Sequence, residues 1–349
     1  MHIAIQTKRS LFMIDIANQE VLENYMLDRE LTGPGDGHSI HYCKGGVSGT
    51  VVFIERPGKT PLIIKQALAQ LKVAETWTCD PNRMGIEYDS NKIYHELMPE
   101  NAPEVYFYDQ ENYIYGREAV PDNCEMWKAD LMSGLLDFEV ARKSIETLVV
   151  VHNKCARNTQ VAERFADKSI FYGLRISPYI EFIMHKHPQL KSAADQVIHE
   201  LMESSITLVH GDYSPKNIMV VGRGISVLDY EVAHYGHPAF DLAFFSNHFI
   251  LKSIKFPELA GAFLNMLRYM TDFYLDHMDF MDKKKFEDCT IRTLALLMIA
   301  RVDGKSPVEY LVGDPEKQQM VRDIAFDLLD QKADSFSKAI SIIASHQQA

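Results

Sequence analysis

The chain has 349 residues, 46% of them hydrophobic, and a formal net charge of −12. That length allows two lobes and a sizeable core, and the apolar content argues against long disorder. The acidic balance excludes broad binding to nucleic acid or anionic membranes and weakly favours a cationic substrate.

Residues Ile14 to Leu31 read as a helix, with Ile16, Val21, Leu22, Tyr25 and Met26 able to share a face. The Gly33–Gly37 cluster then breaks the chain. Three strand-like runs follow: Ile40–Tyr42, the β-branched Thr50–Ile54, and Leu62–Ile64 leading into Lys65. They predict a small antiparallel sheet with tight turns. Gly45, Gly46, Ser48 and Gly49 lie between the first two strands. Alone, CKGGVSG is an ordinary hairpin turn. Its place before a strand pair ending in lysine makes it a candidate phosphate cradle of backbone N–H groups.

Lys65 could reach ATP phosphates as a fixed charge, or guard a sheet edge. Arg83 to Leu97 reads as a helix, with Met84, Tyr88, Ile93 and Leu97 inward. Glu87 on it could pair with Lys65, with Glu96 the competing glutamate; a solvated surface residue is the bland alternative. Val105–Tyr108 and Tyr113–Gly116 read as two more strands. The following Arg117–Pro121 segment is the expected lobe boundary, and its backbone at Glu118 and Val120 could hydrogen-bond an adenine edge. A plain connector has the same sequence.

From Met126 onward the pattern is mostly helical, most clearly over Phe138 to Asn153, where His152 is given no chemical role. Tyr179–His185, Ala193–Met202 and five further stretches, starting at Pro238, Pro257, Lys284, Glu316 and Asp334, are also expected to be helices. The five cysteines are scattered, without CxxC or close Cys/His pairing, so zinc is not expected. An odd thiol count without a signal peptide fits a reducing cytoplasm, and no run approaches the ~20 apolar residues of a membrane span.

The most informative stretch is Val209 to Glu231, VHGDYSPKNIMVVGRGISVLDYE. Apolar runs 206–209 and 218–221 flank the polar loop His210–Asn217, as in a hairpin, and a third run, Ile225–Leu228, ends on Asp229-Tyr230-Glu231. Asp212, Asn217 and Asp229 then sit at strand ends, where their oxygens can converge. That set suits phosphoryl transfer: Asp212 orients or accepts the proton of a hydroxyl, and Asn217 and Asp229 hold Mg2+. Each alone could be a turn residue or strand cap. Glu231 alternates with Asp229, so both can point one way, as a second metal ligand or a substrate contact. His210 is expected to buttress the loop. Asp241 is a first-turn carboxylate on a helix dipole. Arg301 could contact an anionic or hydroxyl-rich group, or cap its helix.

Together these features resemble the aminoglycoside phosphotransferase/choline kinase superfamily. HGDYSPKN, LDYE and FDLAFF carry the likeness, with the spacing of the kinase H-R-D-x-x-x-x-N loop. The resemblance implies an α+β, two-lobed protein-kinase-like fold. A small antiparallel-sheet N-lobe (1–120) would bind the nucleotide, and a larger helical C-lobe (121–349) would carry catalysis and substrate binding. It implies ATP and Mg2+ as cofactors, a small hydroxylated acceptor, a cytoplasmic location, and no nucleic-acid or membrane partner; oligomeric state stays open. It also gives Asp241 the task of holding the catalytic-loop backbone.

The N-terminal half, LIIKQALAQLKVAETW and DPNRMGIEYDSNKIYHELMPENAPEVYFYD, is similar to the 5-methylthioribose kinases. That likeness matches Lys65 and Glu87 to a lysine–glutamate pair and Trp77 to the tryptophan of a nucleotide-side loop. Two features depart. Those kinases have HGDLHTGS where this chain keeps Asn217, and an arginine pair where it has Ala300-Arg301. The expected acceptor is therefore a sugar-like, methylthioribose-like metabolite, and a small-molecule kinase is implied more firmly than methylthioribose as its substrate. An aminoglycoside or choline-type amino-alcohol kinase is the first alternative, and an inert kinase-fold binding protein the second.

Overall fold

The computed structural model describes residues 13–43, 49–67, 80–121 and 123–348. The chain divides into two compact units, Met1–Gly85 with Val105–Ala119, and Ile86–Glu104 with Val120–Ala349.

The first unit is an antiparallel sheet of strands β1 (Ser39–Tyr42), β2 (Gly49–Glu55), β3 (Leu62–Ala67), β4 (Val105–Asp109) and β5 (Ile114–Glu118), in the order β1-β2-β3-β5-β4. The β-branched residues of β2 and β3 suit a pleated, half-covered surface. Helix α1 (Gln19–Asp28) covers one face, packing Leu22, Tyr25 and Met26 with Val52, Ile54, Leu62, Ile64 and Ile114. It is shorter than periodicity suggests. Asn18 caps it, its side chain accepting from the Glu20 and Val21 amides, so Ile16 lies before the first turn. The Ile16 amide donates instead to Gln66 Oε1 at 3.0 Å. At the far end Glu30 takes φ 56°, which stops the helix.

The second unit is mostly helical. Most of α2 (Arg83–Leu97) groups with it, followed by β6 (Cys124–Met126), α3 (Trp127–Met132), α4 (Phe138–Cys155) and α5 (Thr159–Arg164). Next comes one continuous helical stretch: α6 (Ser169–Phe171), a π-helical segment (Tyr172–Glu181) and α7 (Phe182–Lys186). This helix starts well before the expected Tyr179. Pro178 lies within it and has no N–H for a regular i→i−4 bond, a setting in which wider turns are found. After α8 (Lys191–Glu203) come β7 (Thr207–Val209), β8 (Ile218–Val221), β9 (Gly224–Val227) and β10 (His234–Gly236). Helices α9 (Ala239–Lys255), α10 (Ala260–His277), α11 (Lys283–Asp303), α12 (Pro315–Asp330) and α13 (Phe336–Gln348) follow. Residues Ala239–Ile254 of α9 are buried on every side, packed against α10, α11 and α12. Among the described residues no helix is long and apolar enough to cross a membrane.

One expectation is corrected. The runs flanking His210–Asn217 do not form a hairpin with each other. β7 pairs antiparallel with β10, whereas β8 pairs with β9 and β6. The tight hairpin is β8–β9, closed at Val221↔Gly224 across Gly222-Arg223, with Gly222 at φ 57°. The loop spans two small sheets because its own backbone is engaged elsewhere, as described next.

Candidate active site

Asp241 lies in the first turn of α9 and is fully buried. Its Oδ2 accepts the His210 amide at 2.6 Å and its Oδ1 the Gly211 amide at 2.8 Å. Two loop N–H groups are thus consumed by one carboxylate and are unavailable for strand pairing. This is the loop-holding role that the resemblance gives Asp241. His152 of α4, also buried, bridges Asp241 Oδ2 (3.2 Å from Nε2) and the Tyr274 hydroxyl (2.6 Å from Nδ1). Burial would raise the Asp241 pKa, but the His152 contact and the His210 amide outweigh it and hold the carboxylate ionised. His152, given no role from sequence, is therefore a brace behind the loop. His210 acts within the loop, where its Nδ1 accepts the Asp212 amide at 3.2 Å. Tyr213 ties the loop to α4 through a 2.6 Å bond to the Ser144 carbonyl.

Gly211 is required at its place. Its φ is +76°, and a Cβ there would lie 2.6 Å from the Val232 carbonyl oxygen. Gly211→Ala is expected to lose about 1–2 kcal/mol from the left-handed backbone alone. The clash with rigid backbone adds to that. Thermal unfolding reads the effect, and an unchanged midpoint would contradict this account.

Asp212 is 3% exposed and surrounded by cations. Lys216 Nζ lies 2.9 Å from its Oδ2, and the Asn217 amide donates to the same oxygen at 2.8 Å. Arg175 Nη2 lies 2.8 Å from Oδ1, as an ion pair that is not aligned for a hydrogen bond. Arg175 Nε also donates to the Gly211 carbonyl at 2.7 Å. Burial pushes the Asp212 pKa up, but Arg175 and Lys216 outweigh it and hold the carboxyl below the usual range. The group is a carboxylate, able to accept a proton. Arg175 was not singled out in the sequence; it sits in the π-helical segment, where no motif marks it. Asn217 spends its NH2 on Asp212, through the carbonyl (2.9 Å) and Oδ2, which leaves Oδ1 as its possible ligand atom.

Glu87, Asp229 and Glu231 each offer a carboxylate oxygen within 4.8 Å of the others. Glu87 and Glu231 are 1% and 8% exposed. Hard oxygen donors in this number fit Mg2+, so the residues present match the ion that the resemblance implies. Glu231 does join Asp229, but not by strand alternation: β9 ends at Val227, and Asp229 takes φ 69°. That left-handed turn, rare outside glycine, brings the two carboxylates together. Glu87 comes from α2, far off in sequence, and was read as the partner of Lys65 rather than as part of this group.

Lys65 is the fourth residue of β3, inside the strand rather than at its end, opposite Val51 and Tyr115 and 7% exposed. Lys65 lies in the first unit and the described part of α2 bearing Glu87 in the second. Gly49 opens β2 facing Ala67; a Cβ there would lie 2.4 Å from the Gln66 carbonyl, so close strand approach already requires this glycine. Gly45, Gly46, Ser48 and Trp77 lie outside the described residues. Glu118 ends β5, and its carbonyl accepts from Arg117 Nη1 at 2.7 Å. Val120 follows in an irregular stretch. Arg301, in the last turn of α11, donates from Nη1 to the Tyr179 hydroxyl at 3.3 Å and to Ser306 Oγ at 3.1 Å.

Residues 171–276, which include the His210–Asn217 loop and Asp241, match the APH family, described as phosphotransferase enzyme family. The methylthioribose kinase of Yersinia enterocolitica is 23% identical over 233 residues, 58% of this chain and 57% of that protein. The methylthioribose kinase of Enterobacter sp. strain 638 is 22% identical over 246 residues, 62% and 61% respectively. The chain thus spans about 57–61% of the length of these curated relatives. Among solved structures, a Ralstonia eutropha JMP134 protein provisionally named an aminoglycoside phosphotransferase superposes with TM-score 0.50 at 14% identity, covering 94% of this chain and 98% of that one. An amicoumacin kinase in complex with AMP-PNP and Ca2+ does so with TM-score 0.50 at 12% identity, covering 90% and 96%. The likeness to the superfamily stands, and the fold is α+β of the protein-kinase-like kind.

Proposed function

We propose that this chain, which carries the phosphotransferase-family segment on a protein-kinase-like fold, is an ATP-dependent kinase of a small sugar-like alcohol. One observation carries the reading. An ionised, buried Asp212 is fixed on a braced loop, within the electrostatic reach of Asp229, whose oxygen gathers with those of Glu87 and Glu231.

Asp212 orients the acceptor hydroxyl and takes its proton as the hydroxyl oxygen bonds to the γ-phosphorus. The bond from γ-phosphorus to the bridging oxygen breaks, giving ADP and a phosphate monoester. Phosphoryl transfer has a loose transition state, so fixing the hydroxyl counts for more than basicity. Asn217 and Lys216 hold one Asp212 oxygen and Arg175 flanks the other, so the carboxylate has little freedom to turn. Mg2+, when held by Asp229 with Asn217, Glu231 or Glu87, supplies charge neutralisation for the phosphates. Residues 1–120 would hold the nucleotide, with Gly45, Gly46, Ser48 and Gly49 along the phosphates, Lys65 as their fixed charge, and the Glu118 and Val120 backbone at the adenine. Residues 121–349 would supply catalysis and the acceptor site.

The test is ATP-dependent phosphate incorporation into sugars, nucleosides and amino alcohols. Turnover of amino alcohols alone would overturn the sugar-like reading. Asp229→Asn is also informative, because asparagine tolerates the left-handed backbone and removes only the charge. Calorimetry should show its Mg2+-dependent ATP affinity at least roughly tenfold weaker, in line with the loss of one carboxylate from a metal site. Absence of Mg2+-dependent binding in the unaltered protein would favour an inert kinase-fold protein.

A further inference from the structure

In a chain of net charge −12, a set of basic side chains runs from the proposed base to α9 and α11. They are Lys128, Arg175, Lys216, His248, Lys252 and Arg301. Arg175 and Lys216 flank Asp212, and Lys128 pairs with Glu309. The other three have no ion pair among the described residues, and Glu309 acts on Lys252 and Arg301 only from beyond ion-pair distance. Lys252 is fully buried on α9, its Nζ reaching, among the described residues, only the His248 carbonyl at 3.4 Å and lying 5.3 Å from the Tyr310 ring centre. Among the described residues neither Lys252 nor Arg301 has a carboxylate within the 4.0 Å of an ion pair.

These groups connect physically to Asp212. Arg175 and Arg301 lie 6.0 and 5.9 Å from the ring centre of Tyr179, and Arg175 lies 5.7 Å from that of Phe244. Phe244 in turn meets His248 at 5.4 Å between ring centres. Asp241, Phe244, His248 and Lys252 fall on successive turns of α9, so the loop anchor and the buried lysine are roughly 16 Å apart along one helix. A second observation points to a ligand. Arg301 Nε and the Tyr310 hydroxyl are buried with no hydrogen-bond partner among the described residues. Buried polar groups are normally met by a protein group, an ordered water or a ligand, and these two adjoin the basic cluster. Burial pulls the Lys252 pKa down to about 7, with Lys128 adding to it, and burial with the neighbouring cations keeps His248 neutral. A buried lysine without a paired carboxylate, in a cluster of other basic groups, is a candidate functional group.

We propose that the acceptor carries an anionic group, a carboxylate or a phosphate ester, held by Lys252, Arg301 and His248 while its hydroxyl lies at Asp212. This rests on the kinase reading and narrows it. It reverses the expectation of a cationic substrate drawn from net charge, because the local sign at the site is opposite to that of the whole chain.

Calorimetric titration of the full chain tests it, with Mg2+ and AMP-PNP saturating and also without them. AMP-PNP binding is scored separately, so its loss speaks only to the kinase reading. Inorganic phosphate, D-glycerate, ribose and choline are the probes. Phosphate or D-glycerate should bind at least tenfold more tightly than ribose or choline. Phosphate alone would identify a phosphate ester, and D-glycerate alone a carboxylate. Lys252→Met and Arg301→Met should each weaken the anion at least tenfold and leave AMP-PNP affinity within twofold. Lys252→Met should keep or raise the ligand-free unfolding midpoint, since it removes a buried charge; if it fails to fold, Arg301→Met carries the comparison. Tighter choline binding, no anion binding, or anion binding unmoved by both substitutions (an adventitious ion only) would overturn the proposal.

Discussion

Asp212→Asn is expected to lower kcat by about 10²–10⁴, the span associated with loss of a positioned general base. MgATP affinity should change little, because Asp212 is not among the three gathered metal-side carboxylates. Asparagine keeps the shape of the side chain but cannot accept the hydroxyl proton. The substitution also removes the counter-charge of Arg175, which is 9% exposed, and of Lys216. Some loss of stability accompanies it, since an unpaired buried charge is costly. Single-turnover transfer, nucleotide titration and thermal unfolding of the same preparation separate these effects. Undiminished transfer would remove Asp212 from the chemistry.

Asp241→Ala is expected to have the largest effect on stability, about 3–5 kcal/mol, since each buried donor left without its acceptor costs about 1–3 kcal/mol. Three groups lose their acceptor together: the His210 amide, the Gly211 amide and His152. With the second unit above 200 residues, each kcal/mol corresponds to roughly 2–4 °C, so the midpoint should fall by around 10 °C. The loop has no other tie for those two amides, so transfer should fall further than stability alone explains. A variant with normal stability and activity would show that the loop holds its shape without Asp241.

The candidate site was the most legible part of the sequence because its proposed residues lie mostly in one short stretch. His210, Asp212, Asn217 and Asp229 carry side chains that few other roles would bring together at that spacing. Asp241 was legible for a similar reason, standing just inside the start of a helix. What pairs with what was not legible. β7, β8 and β10 have only three or four residues each, too few for their own pattern to choose a partner, and the loop's capture by Asp241 decided it. Arg175 was missed because its segment has π-type turns and a proline, so helical periodicity gives no face to read. Glu87 was read from α2 alone, whereas its neighbours Asp229 and Glu231 lie more than 140 residues onward.

The β7–β10 pairing has a consequence for how such a protein can change. It closes Thr207–Gly236 on itself, and that stretch holds Asp212, Asn217, Asp229 and Glu231. Lys252 and Arg301 stand outside it, on α9 and α11. Lys252 stands about three helical turns beyond Asp241 on α9. A substitution at Lys252 or Arg301 therefore removes none of the bonds that Asp241 makes to the loop, and the closed stretch keeps its tie while the side chains beyond it vary.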